Sequence, residues 1–324
     1  MKQGKLRFDV QLSKIDVLFA QAKLQKNPAQ WLFLNNLRTP IFMLEGLAKL
    51  YSQLHNKKKF EKLNAKFKAI EDGLGAIDHY AAFEKEFVAN NKIPVAINQY
   101  LVLKIKDSEN KLNKILKKQG WLTGKRLLKI NNQLAQMDWL NETKETNAIT
   151  SFYKKEIKKI TAFATKTNFV FDDVEADVHE LRRKIRWLSI YPQALQGAVA
   201  LQENKKYATA LNPYLTPEIL NSAYNKLPVS ETQTKFVVLE TNNFMALSWL
   251  INSLGKLKDT GLKIEVIKEA LQHNSTLTKA EAEKSALVLL GKNYPTMELV
   301  LTEASKITGV FFGKEVLANL LQKG

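Results

Sequence analysis

An all-α fold is predicted by three features of this sequence. Apolar residues recur three and four positions apart along most of its 324 residues, and the period-2 alternation of strands is almost missing. Helix-start signals such as Asn27-Pro28 stand at the heads of the periodic stretches.

Taken in order, Asn27 and Pro28 read as the N-cap and first position of a long helix. It runs through Trp31, Leu34, Leu37, Ile41, Leu44, Leu47 and Tyr51 and is kinked rather than ended by Pro40. A second helix starts near Lys58 and passes Phe60, Leu63, Phe67 and Ile70. At Gly73 and Gly75 glycine permits close packing or a bend, and the helix resumes to Val88. Pro94 opens a third helix through Ile97, Leu101, Ile105, Leu112 and Ile115, which Gly120 stops. A short helix over 124–140 and a lysine-rich one over 145–165, with Lys154, Lys155, Lys158 and Lys159, come next.

Asp172 or Asp173 caps the following helix, whose acidic first turn, Glu175 and Asp177, suits the positive end of the helix dipole; Pro192 bends or ends it. Pro213, Pro217 and Pro228 mark 204–228 as an insertion around a short helix starting at Thr216, with regular helix again from about Ser230. Helical spacing then continues through Leu250, Leu254, Ile264, Ile267, Leu271, Leu287, Leu290, Leu299, Val310 and Leu317. The length suits two units, 1–150 and 151–324, with the boundary near 141–150. Trp31, Trp187 and Trp249 lie at helical spacing among apolar residues and read as core.

With no cysteine, disulfides, thiolate chemistry and cysteine-ligated metals are excluded. The four histidines, His55, His79, His179 and His273, are scattered, so no metal site is expected, and no nucleotide-binding or nucleophile-elbow motif is present. Asp78 and His79 point about 100° apart on a helix, which leaves Asp78 a structural role. Met1–Val10 lacks the apolar stretch of a secretory signal, and no run is long enough to cross a membrane; a cytoplasmic, soluble, cofactor-free protein is the expectation.

Charge is the unusual quantity. Lys and Arg number 49 against 32 Asp and Glu, a formal +17, with net +12 in 1–150 and +5 in 151–324. Such a field gathers polyanions, although a lysine-rich surface also serves solubility alone. His179, Arg182, Arg183 and Arg186 fall at i, i+3, i+4 and i+7, a basic stripe over two helical turns, with Glu180 lying off it. Arginine's planar fork suits phosphate oxygens, so one reading is a phosphate-tracking surface. The other is a helix ion-paired to acidic residues such as Asp172, Glu231 or Glu240.

The segment Val178–Tyr191, VHELRRKIRWLSIY, resembles the His-x-x-Arg-basic-x-x-basic helix of CHAD proteins, the conserved-histidine α-helical domains. Ser253–Asp259 is similar to the family's Leu-Gly-x-x-basic-Asp element. Both pieces have echoes upstream, Leu34–Arg38 and Gly73–His79, in the same order. The resemblance implies two helical bundles related by an internal pseudo-twofold duplication, which bind inorganic polyphosphate or another phosphate-rich polyanion; it implies no reaction, and a non-enzyme is the expectation. Carried over by position, the contacts are His179, Arg182, Arg183 and Arg186 with Arg38, and Lys59, Lys62 and Lys66 match basic residues before the first Leu-Gly. A solvated lysine face is the plainer reading of those three. The pattern departs at Asn35, which stands for histidine, at Phe42 and Leu44 in the first motif, and at Trp187 and Ser189 in the second. An acidic protein partner, or nucleic acid without a recognised reading helix, are the competing partners.

Overall fold

The computed structural model describes residues 2–322, and 73% of the chain is helical. The protein is all-α. Contacts divide it into two compact units, one of Lys2–Leu140 with Ile264–Tyr294, the other of Asn141–Lys263 with the chain from Pro295. The first break falls at 140/141, and residues 264–294 associate with the N-terminal unit instead of with 151–324.

The N-terminal unit holds α1 (Gly4–Ala22), α2 (Pro28–Leu34), α3 (Arg38–Leu54), α4 (Lys57–Val88), α5 (Val95–Lys118) and α6 (Lys125–Ala135). The Asn27 side chain caps α2, as expected, by accepting from the Gln30 amide. The interruption expected at Pro40 occurs earlier. Asn36 takes a positive φ of 57°, which ends the helix, and α3 begins anew at Arg38. Pro40 then sits in the first turn of α3, where its missing N–H costs no helical hydrogen bond. Helix α4 runs unbroken through both glycines. Their role is close approach: a Cβ on Gly73 would lie 2.9 Å from Leu112 and one on Gly75 would lie 3.1 Å from the Arg38 guanidinium.

Two aromatic groups build this core. Trp139 meets Phe8, Tyr51, His55 and Phe60, while Trp121 stacks on Phe19 and touches Phe67. Tyr51 also accepts a hydrogen bond from the buried Arg7 at 2.7 Å.

The other unit holds α7 (Glu142–Thr165), a π-helical turn (Val174–His179) leading into α8 (Glu180–Ala194), β1 (Val199–Gln202), α9 (Lys205–Leu211), α10 (Pro217–Leu220), β2 (Val237–Glu240), the start of α11 (Thr241–Asn274) and α13 (Met297–Gly313). The rest of α11 and α12 (Lys279–Leu290) pack with the N-terminal unit. Asp173 caps the π turn, accepting from the amides of Glu175 and Ala176. Pro192 lies inside α8, which continues to Ala194.

Two strands interrupt the helical pattern. β1 and β2 pair in parallel, Val199 opposite Val237 through Gln202 opposite Glu240. The helix expected from Ser230 does not begin until Thr241, because 237–240 is drawn into this ladder. Glu240, 1% exposed, then anchors the start of α11, accepting from the backbone amides of Asn204 and Asn243 and from the side chains of Asn242 and Asn243. Trp187 is buried as expected, and Trp249 packs on Tyr214.

Candidate functional site

The four residues of the α8 stripe do not form an open row of cations. His179 Nδ1 lies 2.7 Å from Glu175, and Arg183 and Lys184 both pair with Glu180. Glu180 stands one turn before these two, so i,i+3 and i,i+4 reach brings it onto the stripe it was expected to miss. Burial works to raise the Glu180 carboxyl, but the hydrogen bonds and charges of Lys184 and Arg183 outweigh it and hold the group below the usual carboxylate range. The acid partners are therefore Glu175 and Glu180, from the helix itself, rather than Asp172, Glu231 or Glu240.

Arg182 turns inward. Its Nε donates to the Ile251 carbonyl at 3.0 Å, and its guanidinium lies flat over Gly255 of α11, close enough that a Cβ there would meet Nε at 3.0 Å. Arg186 is half-buried, and Arg183 keeps the most exposed head of the group.

The first motif repeats this inward turn. Arg38 opens α3 and packs against Gly75, four residues past Glu71 and three before Asp78, and it pairs with both of those carboxylates. Two acids around one guanidinium leave no positive charge for a ligand. Beside them Glu45 is 6% exposed, and its Oε2 has no hydrogen-bond partner. Burial first, then the nearby Glu71 charge, push its carboxyl up to about 7.

The lysines of α4 behave differently. Lys59 and Lys62 are exposed and Lys66 is half-buried. Burial lowers the Lys66 pKa, and the charges of Arg126, Lys129 and Lys62 lower it further. Among the described residues no carboxylate lies within ion-pair distance of Lys62, Lys66 or Lys129. Arg126 is fixed by its Nε–H, which donates to the Gln119 carbonyl at 2.9 Å. Arg126 and Lys129 were not singled out by motif spacing. Their signal was the polar face of α6, where Lys125, Arg126 and Lys129 alternate with the buried Leu127 and Ile130.

Among the described residues no group of three or more His, Asp or Glu side chains is placed to hold a metal ion, and no helix is long and apolar enough to cross a membrane. What fold and site define, among the described residues, is an all-α protein with two inward-facing arginine motifs and a group of cations on α4 and α6 that no carboxylate pairs. No protein-family model matches the chain, and no curated protein matches it.

Proposed function

We propose that this is a non-catalytic polyanion-binding protein, with inorganic polyphosphate as the ligand its chemistry suits best. The observation that carries the reading is the cluster of Lys62, Lys66, Arg126 and Lys129, which repel one another and have no carboxylate to relieve them. Like charges held together in a fold are stabilised by an anion laid across them. Arg183, Arg186 and His179 offer a second, weaker contact, because Glu175 and Glu180 compete for it. The parallel seating of Arg38 on Gly75 and Arg182 on Gly255 supports the duplicated CHAD-like architecture behind the reading.

Titration calorimetry with long-chain polyphosphate at low salt should give a signal that falls steeply as salt rises, as counterions are released. Lys62→Ala, Lys66→Ala and Arg126→Ala combined should weaken binding by at least about ten-fold, more than alanine at His179, Arg183 and Arg186. Absence of heat at low salt, or equal binding by the cluster variant, overturns the proposal. Stronger binding of single- or double-stranded nucleic acid under the same salt would redirect it, and so would co-purification of an acidic protein with indifference to polyphosphate.

A further inference from the structure

Helix α1 carries two apolar rows, and the fold uses one of them. Phe8, Leu12, Ile15 and Phe19 are buried in the N-terminal unit. On the opposite side Leu6, Val10, Ser13, Val17, Ala20 and Leu24 follow one another at steps of four and three. The four large residues of this row are 40% to 81% exposed. The row extends past Ala22 through a turn in which the amides of Leu24 and Gln25 donate to the Gln21 and Ala22 carbonyls. The Ser13 hydroxyl donates to the Asp9 carbonyl at 2.8 Å, so it demands nothing of a neighbour. A surface helix usually turns polar residues outward, and a second apolar row along roughly 27 Å of helix adds nothing to the fold of the single chain.

The spacing defines what fits against this row. Steps of four and three repeat every seven residues, the seam of a coiled coil, with Val10, Val17 and Leu24 at a and Leu6, Ser13 and Ala20 at d. The flanks are polar: Lys14 and Gln21 stand at e, and Asp9, Asp16 and Lys23 at g. So narrow a row suits another helix, whereas a helix that lies on a membrane has a broader apolar face edged with basic residues.

The flanking charges select a second copy of the same helix. In a parallel pair each g position meets the following e position of the other strand. Asp9 then faces Lys14 of the second copy, the two-fold axis repeats that pair, and Asp16 faces Gln21, so no like charges meet. Among the described residues Lys14 and Asp16 have no ion-pair partner, and Asp9 pairs with Lys5 of its own helix. An antiparallel pair would set Asp16 against Asp16 and Lys14 against Lys14. Valine at a with leucine at d also favours two parallel strands, and the small Ser13 and Ala20 let the helices approach closely.

We propose that α1 joins two copies of this chain through a short parallel coiled coil. The row shares no residue with the cation cluster, so the pairing stands apart from polyanion binding.

Sedimentation equilibrium of the full chain should give twice the chain mass, with a concentration-dependent approach to it. Val10→Glu and Val17→Glu alter residues exposed in the single chain, so the unfolding midpoint at low concentration should hold while each variant sediments as one chain. Asp9→Lys and Lys14→Asp should each weaken self-association by about ten-fold, and an equimolar mixture of the two should restore it, because the reversed charges then face each other. The chain has no cysteine, so Ser13→Cys supplies a single thiol, which meets its own counterpart in the parallel pair and should form a disulfide under mild oxidation. A one-chain mass at every concentration, unchanged association in both glutamate variants, or a disulfide that forms only when Ser13→Cys is mixed with Val17→Cys, the antiparallel register, would overturn the assignment. So would binding to anionic vesicles by a chain that never dimerises, which would give the row to a lipid surface.

Discussion

The two arginine motifs use one packing device with different electrostatics. At each, an arginine near the start of a shorter helix lays its guanidinium on a glycine of a long one, Arg38 on Gly75 of α4 and Arg182 on Gly255 of α11. Four residues before each glycine stands the acceptor: the Glu71 side chain for Arg38, the Ile251 carbonyl for Arg182. Three residues after it the first motif adds Asp78, while the second has Lys258, which pairs with Asp259 beside it. The shared element is thus the seat for a planar cation, and the charge balance around it is free to vary. An arginine in this pattern holds two helices together first, and meets a ligand only where its neighbours leave it charge to offer.

Glu45 gives the largest expected effect, because its burial beside Glu71 belongs to the first motif alone. Its folded pKa, about 7, lies above the unfolded value of 4.5, so the fold takes up a proton between these values. Its contribution to stability is then fully present below pH 4.5 and is lost as pH rises through 7, by about 3 kcal/mol in all. Glu45→Gln keeps the neutral form at every pH. Urea midpoints should show the variant level with the parent at pH 4.5 and ahead by about 3 kcal/mol at pH 8. A difference that stays constant with pH would remove Glu45 from this role.

Removing the arginines comes next in size. Arg38→Ala leaves Glu71, only 12% exposed, and Asp78 without their cation, at a cost of about 2 kcal/mol after allowing for the solvent that reaches the guanidinium. Arg182→Ala loses a hydrogen bond to a backbone carbonyl and its stacking on Gly255, about 1 kcal/mol. Adding Glu71→Gln and Asp78→Asn should rescue much of the first loss and can do nothing for the second. Equal costs for the two arginines, or no rescue, would erase the electrostatic difference between the motifs.

What the sequence made legible was the part governed by periodicity. The helices α4 and α5 follow their apolar spacing, and the caps at Asn27 and Asp173 follow side-chain chemistry. Helix α1 was legible by the same rule and was passed over: Phe8, Leu12, Ile15, Phe19 and Ala22 keep the spacing of four and three, with the polar Arg7 and Gln11 buried beside them. Strands β1 and β2 escaped because four-residue segments are stabilised by each other, across 34 intervening residues that no local pattern spans. At the candidate site the spacing placed the stripe on one helix but not the rotamers that send Arg182 inward and Glu180 toward Arg183. The cluster around Lys66 depends on the charges of α6 reaching a lysine of α4, a tertiary fact. The half of it on α4 was visible as Lys62 and Lys66, and the half on α6 was not.

The glycines give the smallest effect and the sharpest contrast. Glycine to alanine within a helix gains up to about 1 kcal/mol from backbone entropy unless the new methyl group displaces something. At Gly75 a Cβ would approach one terminal nitrogen of Arg38 at 3.1 Å, with the guanidinium carbon 3.7 Å away, so a small tilt between Glu71 and Asp78 relieves the contact. At Gly255 it would meet Nε at 3.0 Å, a terminal nitrogen at 3.3 Å and the guanidinium carbon at 3.4 Å. The whole plane must lift there, and the Nε hydrogen bond to Ile251 stretches with it. Gly75→Ala should therefore change the unfolding midpoint little, while Gly255→Ala destabilises by about 1 kcal/mol. Arg182→Ala should abolish that penalty in the double variant, since no guanidinium then lies over the methyl group. If Gly255→Ala costs the same with and without Arg182, the flat seat of the second motif is not what that glycine is for.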